Sequence, residues 1–126
     1  MNVMIIDDSK TMRMIIGRTI KELGHAIVEA GNGKEGLARL HESAAVDLVM
    51  VDWNMPEMNG LEFVTSLRSE EKYRKLPVMM VTTETEADNV TKALAAGANE
   101  YIMKPFTKET VKEKLALLGL AGEVVP

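Results

Sequence analysis

Three aspartates follow two short apolar runs, and their positions suggest what chemistry this chain could perform. Asp7 and Asp8 come directly after the apolar residues 3–6, and Asp52 ends the apolar stretch 46–51. Carboxylate oxygens are ligands for hard cations such as Mg²⁺, and a carboxylate can also act as a nucleophile that becomes phosphorylated. If the three groups meet, they could hold a divalent cation and accept a phosphoryl group.

A hydroxyl and an ammonium group occupy equivalent places on two further runs. Thr82 ends the fourth apolar run and Lys104 follows the fifth. A threonine hydroxyl can donate a hydrogen bond to a phosphoryl oxygen, and a lysine ammonium is a compact cation suited to phosphate. Taken singly, each residue has an ordinary explanation as a cap, a turn residue or a solvated lysine. Their joint placement at the ends of apolar runs favours a common site.

Short apolar runs alternate along the chain with segments of helical period, which is typical of βα units. Strands are predicted at residues 3–6, 26–30, 46–51, 77–81 and 100–103, and helices at about 10–23, 34–43, 61–67, 84–96 and 108–118. Continuously apolar strands suit a parallel sheet that is covered on both faces. The chain is therefore predicted to adopt an α/β, doubly wound fold with five parallel strands and five helices.

The first helix carries the clearest apolar stripe. Ser9 is a candidate N-cap and Gly24 a candidate stop signal. The stripe that is expected to face the core consists of Met12, Ile15, Ile16, Thr19, Ile20 and Leu23.

Parallel strands bring all their carboxyl ends to one rim of the sheet, where open α/β sheets bind ligands. In the strand order 2-1-3-4-5, strands one and three are neighbours, about 4.8 Å apart. Asp7, Asp8 and Asp52 should then face each other. Two full charges ~5 Å apart repel by about 3 kcal/mol at an effective dielectric constant of about 20. A bound Mg²⁺ ion would relieve that repulsion.

Composition narrows the function classes. The 126 residues suit one domain, and the net charge of −4 argues against nucleic-acid binding. The absence of cysteine excludes thiolate sites, and no apolar run is long enough for membrane insertion. The amino terminus does not resemble a signal peptide. We expect a cytoplasmic protein.

Together these motifs resemble the receiver domain of two-component response regulators, and most closely single-domain chemotaxis regulators of the CheY type. The resemblance covers about residues 2–118 and is carried by Asp7-Asp8, Asp52-Trp53-Asn54, Met55-Pro56, Gly60, Thr82, Glu84, Ala96-Gly97-Ala98, Tyr101 and Lys104-Pro105-Phe106. It implies the flavodoxin-like strand order 2-1-3-4-5, a receiver domain at residues 1–120 and a short tail at 121–126.

The resemblance also implies roles for individual residues. Asp52 would be the phosphorylation site. Mg²⁺ would be held by the Asp8 and Asp52 side chains and the Asn54 backbone carbonyl, with Asp7 acting through water. Thr82 and Lys104 would bind the phosphoryl group, and the Lys104-Pro105 bond would be cis. The phosphodonor would be a sensor histidine kinase. The chain would be a phosphoacceptor signalling protein and not a dedicated enzyme.

A switch is implied as well. Thr82 and Tyr101 would change position on phosphorylation and reshape the face formed by helix four, strand five and helix five, where a downstream protein would bind the monomer. Asn54 and Glu84 would tune dephosphorylation. Glu86 and Ala87 depart from the basic character that CheY-type regulators often have on helix four.

Two other functions remain open at this level. One is a Mg²⁺-dependent phosphohydrolase that works through an aspartyl phosphate, although Asn54 stands where haloacid-dehalogenase-type enzymes have a second aspartate. The other is the receiver fragment of a larger transcriptional regulator. The motif Gly31-x-Gly33-x-x-Gly36 nominally fits a dinucleotide-binding fingerprint. Because it follows the second strand, it is interpreted as a tight turn and a helix start.

Overall fold

The computed structural model describes residues 1–42, 45–83 and 89–120. The strands are β1 (Asn2–Ile6), β2 (Ala26–Ala30), β3 (Leu48–Asp52), β4 (Val78–Thr82) and β5 (Glu100–Met103). The helices are α1 (Lys10–Glu22), α2 (Gly33–Glu42), α3 (Gly60–Ser69), α4 (Val90–Ala96) and α5 (Lys108–Leu117). The strands form one parallel sheet in the order β2-β1-β3-β4-β5, which confirms the predicted fold class.

The register of the sheet brings the candidate residues to one rim. Asp52 at the end of β3 pairs with Val81, and Thr82 at the end of β4 pairs with Met103. Ile6, the last residue of β1, pairs with Val51, so that Asp7 follows on the same rim as Asp52.

Two buried layers cover the sheet. β3 and β4 are buried along their whole length, as expected for central parallel strands. One layer packs around Phe63 and Leu67 of α3, and the other around Ile16 and Ile20 of α1 with Leu115 of α5. The helices therefore lie on both faces of the sheet, and the rim between them stays available for polar groups.

The predicted core face of α1 is wrong in one position. Ile15 is 52% exposed, as is its neighbour Met14 at 55%, whereas Ile16, Gly17 and Ile20 are buried. A Cβ atom on Gly17 would lie 2.8 Å from Ile27 Cδ1, so the missing side chain lets α1 approach the sheet there. A hydrophobicity pattern gives no weight to glycine, so it included Ile15 in the core face and left out Gly17.

The ends of the helices follow the expected local signals. The Ser9 side chain accepts a hydrogen bond from the Met12 amide, and Thr107 does the same for Thr110. Gly24, the predicted stop, has a φ of +94°, a region that glycine enters without strain.

Two helical features differ from the prediction or lie beyond it. The predicted beginning of helix four near Glu84 lies outside the described residues, as does the tail 121–126. A short 3₁₀ helix at Glu71–Tyr73 was not predicted. No helix among the described residues is long and apolar enough to cross a membrane.

Candidate functional site

Three carboxylates converge at the carboxyl ends of β1 and β3. Oxygen atoms of Asp7, Asp8 and Asp52 all lie within 4.8 Å of one another. Asp7 is 1% exposed and Asp52 is 6% exposed, whereas Asp8 faces solvent. The structure thus brings together the three aspartates that the sequence singled out.

Asp7 is held by its own turn and by α1. Its Oδ1 atom accepts a hydrogen bond from the Ser9 amide at 2.9 Å, and its carbonyl oxygen accepts one from Arg13 Nη1 at 2.6 Å. Arg13 also pairs with Glu29 at 3.0 Å. The second carboxylate oxygen, Oδ2, is buried, and its nearest positively charged neighbour among the described residues is the Lys104 ammonium, 3.5 Å away. Sequence reasoning missed the part played by Arg13, whose only signal was its position one helical turn after Ser9.

Lys104 reaches across the rim from the end of β5. Its ammonium nitrogen lies 3.2 Å from Asp52 Oδ1 and 3.5 Å from Asp7 Oδ2. Burial by itself would lower the pKa of this lysine, but the attraction of Asp52 and then Asp7, with their hydrogen bonds, outweighs burial and raises it. Lys104 is therefore a fixed positive charge at neutral pH. The Lys104–Pro105 peptide bond is cis, as the resemblance implied.

Thr82 lies at the same rim with its hydroxyl unused. The residue is fully buried, and Oγ1 has no hydrogen-bond partner among the described residues. Its carbonyl oxygen accepts a 2.7 Å hydrogen bond from the Lys104 amide, which ties the two residues together through the backbone. Because buried polar groups are nearly always hydrogen-bonded, an unpaired hydroxyl here marks a position that a ligand could satisfy.

The loop after Asp52 is closed by a tight approach of α3. A Cβ atom on Gly60 would lie 2.7 Å from the Asp52 carbonyl oxygen and 3.0 Å from Trp53 Cα, so only glycine fits. The Gly60 amide donates to the Trp53 carbonyl at 2.9 Å. Asn59 caps α3 in a reciprocal capping box with Glu62. This closure fixes the backbone that carries Asp52.

The remaining predicted residues are placed less closely. Asn54 is exposed in the loop two residues after Asp52. Tyr101 is half-buried on β5, with the Lys114 ammonium 4.2 Å from its ring centroid. Glu84 lies outside the described residues, as do Glu86 and Ala87.

The glycines of the motif in residues 31–36 pack closely against other side chains. A Cβ atom on Gly33 would lie 2.7 Å from Met58 Sδ, and one on Gly36 would lie 2.5 Å from Ile6 Cδ1. The Asn32 side chain accepts a hydrogen bond from the Glu35 amide at the start of α2. These contacts support the interpretation as a turn and a helix start.

The donor set suits a hard divalent cation. Of the three carboxylates in the cluster, Asp7 and Asp52 pair with Lys104, the one ammonium that contacts them among the described residues, so the cluster has an excess of negative charge. The oxygen atoms are of the type that Mg²⁺ prefers. Phosphoryl oxygens are also ligands of such an ion, so the same rim can combine a cation, a phosphoryl group and Lys104.

Many known proteins are similar to this chain in sequence. A family model described as the response regulator receiver domain matches residues 3–116. A chemotaxis protein CheY homolog of Campylobacter jejuni is 49% identical over 116 residues, which are 91% of this chain and 89% of that protein. Chemotaxis protein CheY1 of Helicobacter pylori is 44% identical over 119 residues, 94% of this chain and 96% of that protein.

Solved structures agree with the sequence matches. The chemotaxis protein CheY4 of Vibrio cholerae superimposes with a TM-score of 0.85 at 33% sequence identity, covering 93% of this chain and 97% of that one. The chain therefore belongs to the response regulator receiver domain family.

Proposed function

We propose that this chain is a response regulator whose Asp52 accepts a phosphoryl group from a sensor histidine kinase. The observation that carries the proposal is the placement of Asp52, a nearly buried carboxylate whose Oδ1 lies 3.2 Å from the Lys104 ammonium and beside two further aspartates. A carboxylate in this position can accept a phosphoryl group. The charged and polar groups around it are already placed to stabilise the negative charge of that phosphoryl group.

Mg²⁺ is the proposed cofactor. The Asp8 and Asp52 side chains and the Asn54 backbone carbonyl would hold it, and Asp7 would act through a water molecule. When bound, the ion offsets the negative charge of the phosphoryl oxygens. The carboxylate cluster described above supports this assignment.

With the cation site filled, the bonds of the transfer form and break between Asp52 and the phosphodonor. An Asp52 carboxylate oxygen attacks the phosphorus of a phosphohistidine, a P–O bond forms, and the P–N bond breaks as the imidazole leaves and takes up a proton. Lys104 neutralises a phosphoryl oxygen, and the Thr82 hydroxyl donates a hydrogen bond to another. When the signal is lost, water attacks phosphorus, the bond between phosphorus and the Asp52 oxygen breaks, and Asp52 returns to the carboxylate as inorganic phosphate leaves. Asn54 and Glu84 would tune that step.

We propose that phosphorylation changes the shape of the surface that a downstream protein binds. Thr82 would move toward the phosphoryl group and Tyr101 would turn inward, which would alter the face of α4, β5 and α5 for a downstream protein. Phosphorylation can do this only by stabilising one existing conformer over another. The named relatives are chemotaxis proteins, and we propose a chemotactic or related role for this chain, as a cytoplasmic monomer.

A phosphohydrolase is the less favoured alternative. The groove next to Lys104 is lined mainly by apolar side chains, among them Met12, Ile15 and Phe106, and offers little to orient a polar ester. Haloacid-dehalogenase-type enzymes use a second acidic residue two positions after the nucleophile, and this chain has Asn54 at that position. Steady turnover of phosphate esters would favour the hydrolase.

Intact-mass measurement with a small acyl phosphate tests the proposal. We expect Mg²⁺-dependent gain of one phosphoryl group by the parent chain and none by Asp52→Asn. Glu113→Gln, which changes an exposed carboxylate on α5, serves as the matched control and should be labelled like the parent. Equal labelling of Asp52→Asn would refute the assignment of Asp52.

A further inference from the structure

A charged pair contacts both the ring and the backbone of Tyr101. Lys114 Nζ lies 3.1 Å from Glu100 Oε1 and 4.2 Å from the centroid of the Tyr101 ring. The same carboxylate oxygen accepts a hydrogen bond from the Tyr101 amide at 3.0 Å. Glu100 therefore binds both the backbone of Tyr101 and the ammonium that lies over its ring.

This contact crosses the edge of the sheet. β5 is an edge strand, and the Tyr101 ring packs against the layer that contains α3 and α4. Lys114 belongs to α5, whose buried residues Val111 and Leu115 lie in the opposite layer. The lysine side chain thus passes around the edge of β5 and connects the two layers through the aromatic ring.

The ion pair of Lys114 and Glu100 is largely shielded from solvent. The Lys114 and Glu100 side chains are only 19% and 17% exposed. An ammonium within about 6 Å of a ring centroid is attracted to the ring face, and the attraction grows as water is excluded. When both partners of an ion pair are mostly buried, salt weakens their attraction less than it weakens the attraction of an exposed pair.

We propose that Lys114 and Glu100 are positioning residues that hold Tyr101 at the sheet edge and oppose its inward rotation. The inference rests on the proposed function, in which that rotation accompanies phosphorylation of Asp52. Turning the ring toward Thr82 removes it from beneath the Lys114 ammonium, so the cost of losing this contact sets part of the balance between the two conformers. Glu100 keeps the ammonium in position.

The effect can be measured through linkage. An activator that binds the rotated conformer must first displace the ring from Lys114, so the contact reduces its apparent affinity. Lys114→Met should therefore tighten the Mg²⁺-dependent binding of beryllofluoride at Asp52 by about twofold to tenfold. Trp53, the only tryptophan and the neighbour of Asp52, reports binding by its fluorescence.

Three variants separate positioning from loss of charge. Lys112→Met removes a charge from an exposed position of the same helix and should bind beryllofluoride like the parent. Glu100→Gln should tighten binding in the same direction as Lys114→Met. Lys114→Arg keeps a cation over the ring and should restore the parent affinity. Urea denaturation of each variant confirms that the chains compared are folded.

The side-chain rotamer of Tyr101 gives an independent readout. Tyr73→Phe leaves Tyr101 as the only tyrosine, so its NMR signals can be assigned directly. Three-bond couplings then report its χ1 angle, and they do not depend on the charge of neighbouring groups. In that background, Lys114→Met should move the χ1 average toward the value that the parent shows with beryllofluoride.

The outcomes distinguish the two claims. If the parent binds beryllofluoride but Lys114→Met matches Lys112→Met in affinity and in χ1, the positioning role is wrong while the proposed function stands. If the parent fails to bind beryllofluoride in the presence of Mg²⁺, both are wrong. Tighter binding together with a shifted χ1 supports the positioning role.

Discussion

At the scale of single residues, the site is a balance between three carboxylates and one ammonium. Lys104 contacts both buried aspartates, at 3.2 Å from Asp52 and 3.5 Å from Asp7. Its positive charge therefore offsets part of the carboxylate repulsion that a divalent cation would also offset. The lysine ammonium and the divalent cation should repel each other, although both would assist phosphoryl binding.

This balance predicts opposite changes in Mg²⁺ affinity. Asp8→Ala removes a proposed ligand and should weaken Mg²⁺ binding by about tenfold, whereas Lys104→Met removes a competing charge and should tighten it by a similar factor. Titration of Mg²⁺ followed by Trp53 fluorescence measures both, with Glu113→Gln as a control. Unchanged affinity in Asp8→Ala would remove Asp8 from the ligand set.

Thr82 predicts a conflict between stability and function. Its buried hydroxyl has no hydrogen-bond partner in the part of the chain that the structure describes. Thr82→Val, which replaces the hydroxyl with a methyl group of similar size, should therefore raise the free energy of unfolding by about 1 kcal/mol. Thr82→Ser keeps the hydroxyl and should not gain stability. Chemical denaturation measures both variants. A Thr82→Val chain that is less stable than Thr82→Ser would show that the hydroxyl is satisfied in the folded protein.

Much of the residue set could be predicted from the sequence, because each member is polar and ends an apolar strand. The contacts that hold the set could not. Arg13 supports Asp7 through a backbone carbonyl, and Lys114 covers Tyr101 from another helix. Both are ordinary helical residues until the tertiary fold brings them to their partners.

At the scale of elements, Arg68 joins the end of α3 to the turn between α4 and β5. Its guanidinium donates to the carbonyl oxygens of Gly97 and Tyr73 and to Asn99 Oδ1, at 2.6–3.0 Å. Asn99 Oδ1 in turn accepts from the amide of Val78 at the start of β4. Burial lowers the pKa of Arg68, and its partners are all neutral oxygens.

Loss of this junction should be costly. Arg68→Met removes four hydrogen bonds from a partly buried cation and should lower the free energy of unfolding by about 2 kcal/mol or more. Arg74→Met, at an exposed position nearby, should change it by less than about 0.5 kcal/mol. Urea denaturation of both variants tests this, and equal stability of the two would contradict the role assigned to Arg68.

The elements themselves were largely predictable. β2 and β5 match their predicted bounds, and β3 begins two residues later than predicted. The error at Ile15 has a physical cause, since Gly17 allows a closer approach to Ile27 than any apolar side chain would. Pattern reasoning counts apolar residues and does not register where a missing side chain lets two elements meet.

At the scale of the whole molecule, the fold separates stability from chemistry. Two buried layers cover both faces of the sheet, and the polar groups that do not contribute to packing meet at one rim. A doubly wound sheet places its ligand site where strand order reverses, here at β1 and β3. The order itself came from the family resemblance, because alternating strands and helices do not specify which strands are neighbours.

The central claim is that Asp52 forms an acyl phosphate. Borohydride reduces an aspartyl phosphate to homoserine, which peptide mass spectrometry can locate in the chain. After treatment with Mg²⁺ and a small acyl phosphate, we expect homoserine at position 52 and unmodified aspartate at positions 7 and 8. Homoserine at either of those positions, or at none of the three in a chain that has gained a phosphoryl group, would contradict the account.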